Sequence, residues 1–252
     1  MRPPSGYSSV ELNSFFSARE WFNIVLSFTE ILPPDKFLNH PIRSLIAESK
    51  PLQLDTAKKV GFRIPETIFT NNPAVMREFA MNVGQCIAKP VDTSITANPD
   101  NPEDTLILFT RDISASSIKD SESYQSTSPM ILQERIDKKY ELRAVVYGDA
   151  VRFIKIDSQR DERTRLDFRR KLSDSSMYSI SQDEFSLGNK CIAYCRAMGL
   201  DSGVFDLAIP LTGDPVFFEC NPNGQWGGMN TSAGGDIHQM AAQYVADRVC
   251  RA

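Results

Sequence analysis

The hydrophobic pattern changes character along the chain. Phe15, Phe16, Trp21, Phe22, Ile24, Val25 and Phe28 recur at spacings of three and four, which predicts a helix that stops where "ILPPD" sets two prolines together. A helix this rich in aromatic residues serves a core or an interface. Before it, "MRPPSGYSS" reads as an extended entry segment. "SKPLQLDTAKKVG" offers Ser49 as N-cap, a first-turn proline and Gly61 as a stop, and "NNPAVMREFAMNVG" repeats the scheme with Asn72, Pro73 and Gly84. "RIPETIFT" reads as a strand. "CIAKP" and "TLILFT" read as two more, on either side of a polar loop from Asp92 to Asp104, with a second loop at "SYQSTSP".

From Met130 strands dominate. "MILQERI", "YELRAVVYGDAVRFIKIDS" and "GVFDLAIPLTGDPVFFEC" alternate or run apolar, the latter two folded back as hairpins through Gly148-Asp149 and Gly213-Asp214. Between them "QDEFSLGNKCIAYCRAMG" is an amphipathic helix, and "DIHQMAAQYVADRVC" is a closing one. The predicted class is α+β: an N-terminal segment and helix (1–40), a small mixed unit (41–130) and an antiparallel sheet with helices (131–252).

Composition narrows the function. With 252 residues and 41% hydrophobic content the chain can bury a sizeable core. A net charge of −4 excludes a broad basic face, so no nucleic-acid partner is expected. No apolar stretch approaches the roughly 20 residues of a membrane span, no signal sequence opens the chain, and a cytoplasmic location without a membrane partner is expected. Five scattered cysteines without a C-x-x-C pair read as reduced thiols, Cys191 and Cys195 among them as core residues.

Chemistry gathers on the last hairpin. Asp206 interrupts "GVFDLAI" and Glu219 ends "VFFEC", which brings two carboxylates together across the pair, a repulsive arrangement unless a cation lies between. Asn221 shares the face of Glu219 because side chains alternate along a strand. Two carboxylates and an amide oxygen are hard ligands suited to Mg²⁺, which substrate phosphates commonly complete. Lys89 after "CIA" and Lys50 at a helix N-terminus, where the dipole gives a cation nothing, are candidate phosphate partners.

Together, "SKPLQLDTAKKVGFRIPETIFTNNP", "LQERIDKKYELRAVVYGDAVRFIKIDSQ", "LDFRR" and "GLDSGVFDLAIPLTGDPVFFECNPNGQW" resemble the ATP-grasp ligases, closest to the graspetide branch that matures microviridin-type ribosomal peptides. The resemblance implies an ATP-grasp fold of two α+β subdomains gripping ATP, the small one over 41–130 and the large one, with the Mg/ATP site, over 131–252. It begins near Arg2-Pro3-Pro4, which resembles the segment after a complete N-terminal domain, so that domain is expected to be lacking. By the same resemblance Lys50 and Lys89 hold ATP phosphates, Gln133, Glu134, Arg135 and Ile136 form the hinge beside adenine, and Glu141 meets the ribose. Asp206, Glu219 and Asn221 are the implied magnesium ligands, and Arg143 and Arg169 match basic positions near the transferred phosphate or the acyl phosphate, with Asn221 also counted in the catalytic set.

The implied reaction is ATP-dependent carboxylate activation through an acyl phosphate, forming macrolactone or macrolactam links in a precursor peptide with a leader and an acidic core. Alternatives are a ligase that joins an amino acid or small amine to a carboxylate, and a nucleotide-binding module without turnover; a homodimer is compatible with either. The charged stretch "RDERTRLDFRRK" is either a solvated loop or a basic rim for an acidic peptide.

Overall fold

"SGVFDLAIP" forms a strand enclosed on both faces. In the structure, a computed structural model that describes residues 9–91, 95–96, 106–107, 109–118, 128–182 and 186–251, it is β10 (Ser202–Pro210), buried at all nine positions. β10 lies second in a five-stranded antiparallel sheet of order β11 (Val216–Asn221), β10, β7 (Lys138–Tyr147), β8 (Ala150–Ile156) and β9 (Tyr178–Ser181). One face sends Leu142, Ala144, Phe153, Phe205 and Leu207 against α2 (Pro41–Ala47), α3 (Lys50–Lys59) and α5 (Leu187–Met198). The other packs Val145, Ile154, Ile156 and Val204 on α6 (Gly227–Ala233) and α7 (Ile237–Arg251). Covering on both sides explains why the strand reads as a continuous apolar run although its neighbours are antiparallel. Each fully buried Phe or Leu side chain contributes about 1.5–3 kcal/mol.

The second sheet has the order β1 (Thr67–Thr70), β6 (Met130–Glu134), β2 (Cys86–Pro90) and β5 (Arg111–Ile113), again antiparallel, with Met76 and Ala80 of α4 (Pro73–Val83) packed on Leu132. β3 (Ile95–Thr96) and β4 (Leu106–Ile107) form a separate pair. Two antiparallel sheets with helices are the α+β arrangement the pattern predicts.

The details differ in several places. β6 lies between β1 and β2, and α2 and α3 pack on the five-stranded sheet, so a division of the sequence at 130/131 does not coincide with the division into sheets. "RIPETIFT" contributes only Thr67–Thr70 to β1, since Pro65 has no N–H to give a ladder; Arg63 instead bridges Val216. "TLILFT" contracts to Leu106–Ile107. Ser49 stands at the N-cap of α3 without a side-chain bond, whereas Asn72 caps α4 by accepting from the Ala74 N–H at 2.9 Å. The helices α2 and α6 and the strand β9 carry too little periodicity to be foreseen. Segment 1–8, "SYQST" and most of the polar loop from Asp92 to Asp104 lie outside the described residues.

The aromatic helix is α1 (Ser9–Ile31), and it is not core: Phe16, Trp21, Phe22 and Phe28 are all about half exposed or more. All five cysteines are free, and Cys191, Cys195 and Cys220 are buried as expected. A Cβ on Gly203 would stand 2.8 Å from the Cys220 sulfur and 3.2 Å from that of Cys195, so the close approach of β10 to both thiols needs a glycine. Among the described residues, no helix is long and apolar enough to cross a membrane.

Candidate functional site between the two sheets

The site begins with a register shift. Asp206 pairs with Glu219, but its neighbour Leu207 pairs with Phe217, which leaves Phe218 as an extra residue in β11. A bulge of this kind changes the phase of the strand. Phe217 therefore points into the core, while Phe218, Glu219 and Asn221 all line the space between the sheets. A second shift, at Ile209/Pro210 against Tyr140 and Lys138, puts Lys138 on the face of Glu141 although the two are three residues apart. β11 is the edge strand, and Gln53 completes it: its amide nitrogen donates to the Cys220 carbonyl at 2.7 Å and its oxygen accepts from the Cys220 N–H at 3.2 Å.

The charges are paired across elements. Lys50 donates to Glu219 at 2.7 Å, and the Asn221 amide donates to the other Glu219 oxygen at 3.1 Å. Burial would raise the Glu219 carboxyl, but Lys50 and Lys89 overcome it and hold it well below the usual carboxylate range. Arg143 grips Asp206 with two bonds of 2.9 Å, donates to the Gln225 carbonyl at 2.7 Å and lies over the Phe168 ring. Arg169 forms a similar fork on Asp167, at 2.8 and 2.7 Å. Lys138 donates to Glu141 at 2.9 Å with both side chains 7% exposed, and burial raises the Glu141 carboxyl despite that cation.

Lys89 is different. Projecting from the four-stranded sheet, it donates to the Gln133 side-chain oxygen at 3.1 Å, and Gln133 in turn donates to Thr67 at 2.9 Å. Among the described residues Lys89 has no carboxylate within ion-pair distance. Burial lowers its ammonium to about 8, against the opposing pull of Glu219. A half-buried cation held, among the described residues, by a neutral amide is ready to receive an anion.

Two cavities meet here. The first, of about 440 Å³, lies between the sheets and is lined by Lys50, Lys89, Gln133, Glu134, Arg135, Ile136, Glu141, Arg169, Asp206, Glu219 and Asn221. These are all the residues expected from the sequence except Arg143. Arg143 lines the second cavity, about 340 Å³, whose other walls include Glu48, Phe168, Arg169, Leu172 and the loop 221–225. Phe168, Arg169 and Asn221 belong to both, so they form the shared wall. In the stretch expected to form the hinge, the Glu134 and Arg135 N–H groups donate to the Glu66 and Gln85 carbonyls, and the Ile136 N–H makes no such backbone bond among the described residues.

A metal has partial provision. Among the described residues no group of three His, Cys, Asp or Glu could hold one. The donor set is two facing carboxylates and one amide oxygen, which suits a hard cation that takes its remaining oxygens from phosphate and water. In the charged stretch 160–171 most basic groups are neutralised nearby: Arg163 by Asp161, Lys171 by Asp161 and Asp174, Arg169 by Asp167, while Arg170 donates to the Thr110 carbonyl. An open basic rim is therefore not what this segment presents. Sequence reasoning missed Lys138, Asp167 and Phe168; only the short spacing of Lys138 to Glu141 and of Asp167 to Arg169 hinted at them.

No family model and no curated protein sequence matches the chain. Solved structures do. Similar to it are a Chryseobacterium gregarium RiPP-associated ATP-grasp ligase in complex with ADP and a leader and core peptide (TM-score 0.80, 23% identity, covering 99% of this chain and 74% of that one), and the macrocyclase MdnB of Microcystis aeruginosa (0.71, 26%, 96% and 73%). The ATP-grasp ligase PsnB, complexed with a precursor variant, Mg and ADP, is similar as well (0.72, 20%, 94% and 71%).

Proposed function

We propose, with the ATP-grasp fold as premise, that this chain is an ATP-dependent ligase that links a side-chain carboxylate of a ribosomally made precursor peptide to an amine or hydroxyl of the same peptide. The observation that carries the reading is Lys89, a half-buried ammonium with no carboxylate in ion-pair distance among the described residues, facing Lys50 and Glu219 across a cavity large enough for a nucleotide.

In this reading Lys89 and Lys50 receive the phosphates. Lys50 exchanges Glu219 for phosphate oxygen, which frees Glu219, with Asp206 and Asn221, to hold Mg²⁺. When bound there, the ion supplies neutralising charge at the phosphates. Gln133 keeps Lys89 pointed inward, Ile136 offers its N–H to the base, and Glu141, anchored by Lys138, accepts from ribose hydroxyls. Arg169, in the wall between the cavities, stabilises the phosphoryl group as it passes to the substrate carboxylate, and Arg143 stabilises the tetrahedral intermediate that follows. Phe168 and Phe218 exclude water, to which an acyl phosphate is vulnerable. The chain needs no covalent nucleophile of its own, and a cytoplasmic location fits its dependence on ATP.

The test is to incubate the pure protein with ATP, Mg²⁺ and a precursor peptide rich in Asp, Glu, Lys and Thr encoded beside it. ADP release together with a peptide mass lowered by one water per link is expected; absence of nucleotide binding would end the reading.

A further inference from the structure

One residue at the edge of the four-stranded sheet is gripped from the other half of the molecule. Thr110 is buried and stands directly before β5. Its carbonyl accepts from the Arg170 guanidinium at 3.2 Å, and that guanidinium also covers the Phe109 ring, 5.1 Å from the centroid. The Thr110 N–H donates to the Asp167 carboxylate. Burial would raise that carboxyl, but the Arg169 fork and the Thr110 N–H outweigh it and hold it below its usual value. Both bonds to Thr110 use its backbone, so the 3₁₀ turn at Phe168–Lys171 and its cap Asp167 satisfy it much as a neighbouring strand would.

The place of this grip matters. In the ladder of β2 and β5, Ala88 pairs with Arg111, and one step further in the same antiparallel register brings Lys89 beside Thr110. On the other side, Asp167 accepts from the Arg169 backbone N–H at 3.1 Å and commits both carboxylate oxygens to the Arg169 fork. The charge of Arg169 is felt at Lys89. Two cations this close repel, so bonds elsewhere must fix their spacing if both are to meet one ligand.

We infer that Arg170 and Asp167 are positioning residues that clasp the Thr110 backbone and so hold Arg169 at a set distance from Lys89 across the cavity. This rests on the function proposed above, in which the two cations meet neighbouring oxygens of one triphosphate. Arg169 uses Nε and Nη2 on Asp167, which leaves Nη1 to meet the phosphoryl group. Without the clasp Lys50 and Lys89 stay in place and nucleotide still binds. Arg169 then moves relative to Lys89 and the transfer step slows, since a misplacement of about 1 Å can cost roughly a hundredfold in rate.

The test measures ADP release at saturating ATP, with Mg²⁺ and the precursor peptide encoded beside the protein, together with ADP titration. Arg170→Ala is expected to lower turnover roughly tenfold while ADP affinity changes less than about twofold, and Phe109→Leu, which removes only the ring, to lower it less. In an Arg169→Lys background, whose cation cannot form the fork, Arg170→Ala should cost nothing further, because the clasp acts through Arg169. Unchanged turnover in Arg170→Ala, equal losses of turnover and affinity, or a full additional loss in the Arg169→Lys background would overturn the inference. Hydrogen exchange at the Thr110 amide, followed by NMR without nucleotide, reads the clasp apart from the chemistry: Arg170→Ala should speed it roughly threefold or more, and an unchanged rate would also overturn the inference. Absence of ADP binding in the unaltered protein would instead sink the proposed function, and the exchange rates would still report whether the clasp exists.

Discussion

Asp206 and Glu219 are direct partners across β10 and β11, yet each carboxylate has its own cation: Arg143 on Asp206 at 2.9 Å and Lys50 on Glu219 at 2.7 Å. Two facing acids would repel, and the fold removes the repulsion from opposite sides, with a strand neighbour for one and a helix start for the other. The cation at the N-terminus of α3, which the helix dipole does not favour, has its reason here.

Lys89→Met should weaken ADP binding by about 1.5–3 kcal/mol, the usual scale for a charge-assisted hydrogen bond, or roughly ten- to a hundredfold in Kd. In the unaltered protein, affinity should also fall as pH rises through about 8, because the anion is held by the protonated ammonium. The stability of the free protein moves the other way. The unfolded chain binds this proton more tightly, so the penalty for Lys89 is relieved between about 8 and its ordinary value. Titration calorimetry from pH 6.5 to 9.5 checks the profile, and a flat one would remove Lys89 from the phosphate site.

Arg143→Met leaves Asp206 buried without its partner and should cost about 3–5 kcal/mol, whereas the double change Arg143→Met with Asp206→Leu should cost less than either single one. Urea unfolding measures this directly. If the double change is the sum of the singles, the pair is not a coupled buried unit.

Arg169→Ala should abolish cross-linking while the apparent ATP affinity stays nearly unchanged, since the loss falls on a step after binding. Product analysis by mass spectrometry and ADP titration decide it; unchanged turnover would take Arg169 off the catalytic list.

Tyr194 sits in the core against Phe205 and Phe217, and among the described residues its hydroxyl has no hydrogen-bond partner. Tyr194→Phe should therefore raise stability by about 1–2 kcal/mol, with Tm up by roughly 2–4 °C per kcal/mol. A lower Tm would mean that the hydroxyl is satisfied after all.

How much of this was legible in the sequence depended on whether a signal was local. Gly148-Asp149, Asn72-Pro73 and the alternation around Asp206 are short-range features, and each marks its element. Lys89 was marked as a candidate phosphate partner by its place after a strand, but Gln133 entered only through resemblance, because the contact between them joins residues 44 apart. The pairing of Arg143 with Asp206 was not foreseen, since each was assigned its own task and a long-range fork leaves no periodic trace. The exposure of α1 was misleading in another way: an apolar repeat states that a face wants cover, not that this chain supplies it.

Phe218 changes how the C-terminal hairpin tolerates alteration. Because one unpaired residue sets which side chains of β11 reach the core and which reach the cavity, substitutions between Phe217 and Asn221 act singly. Inserting or deleting one residue there would exchange the two sets, sending an acid inward and an aromatic ring outward. In this segment the number of residues is constrained as tightly as their identity.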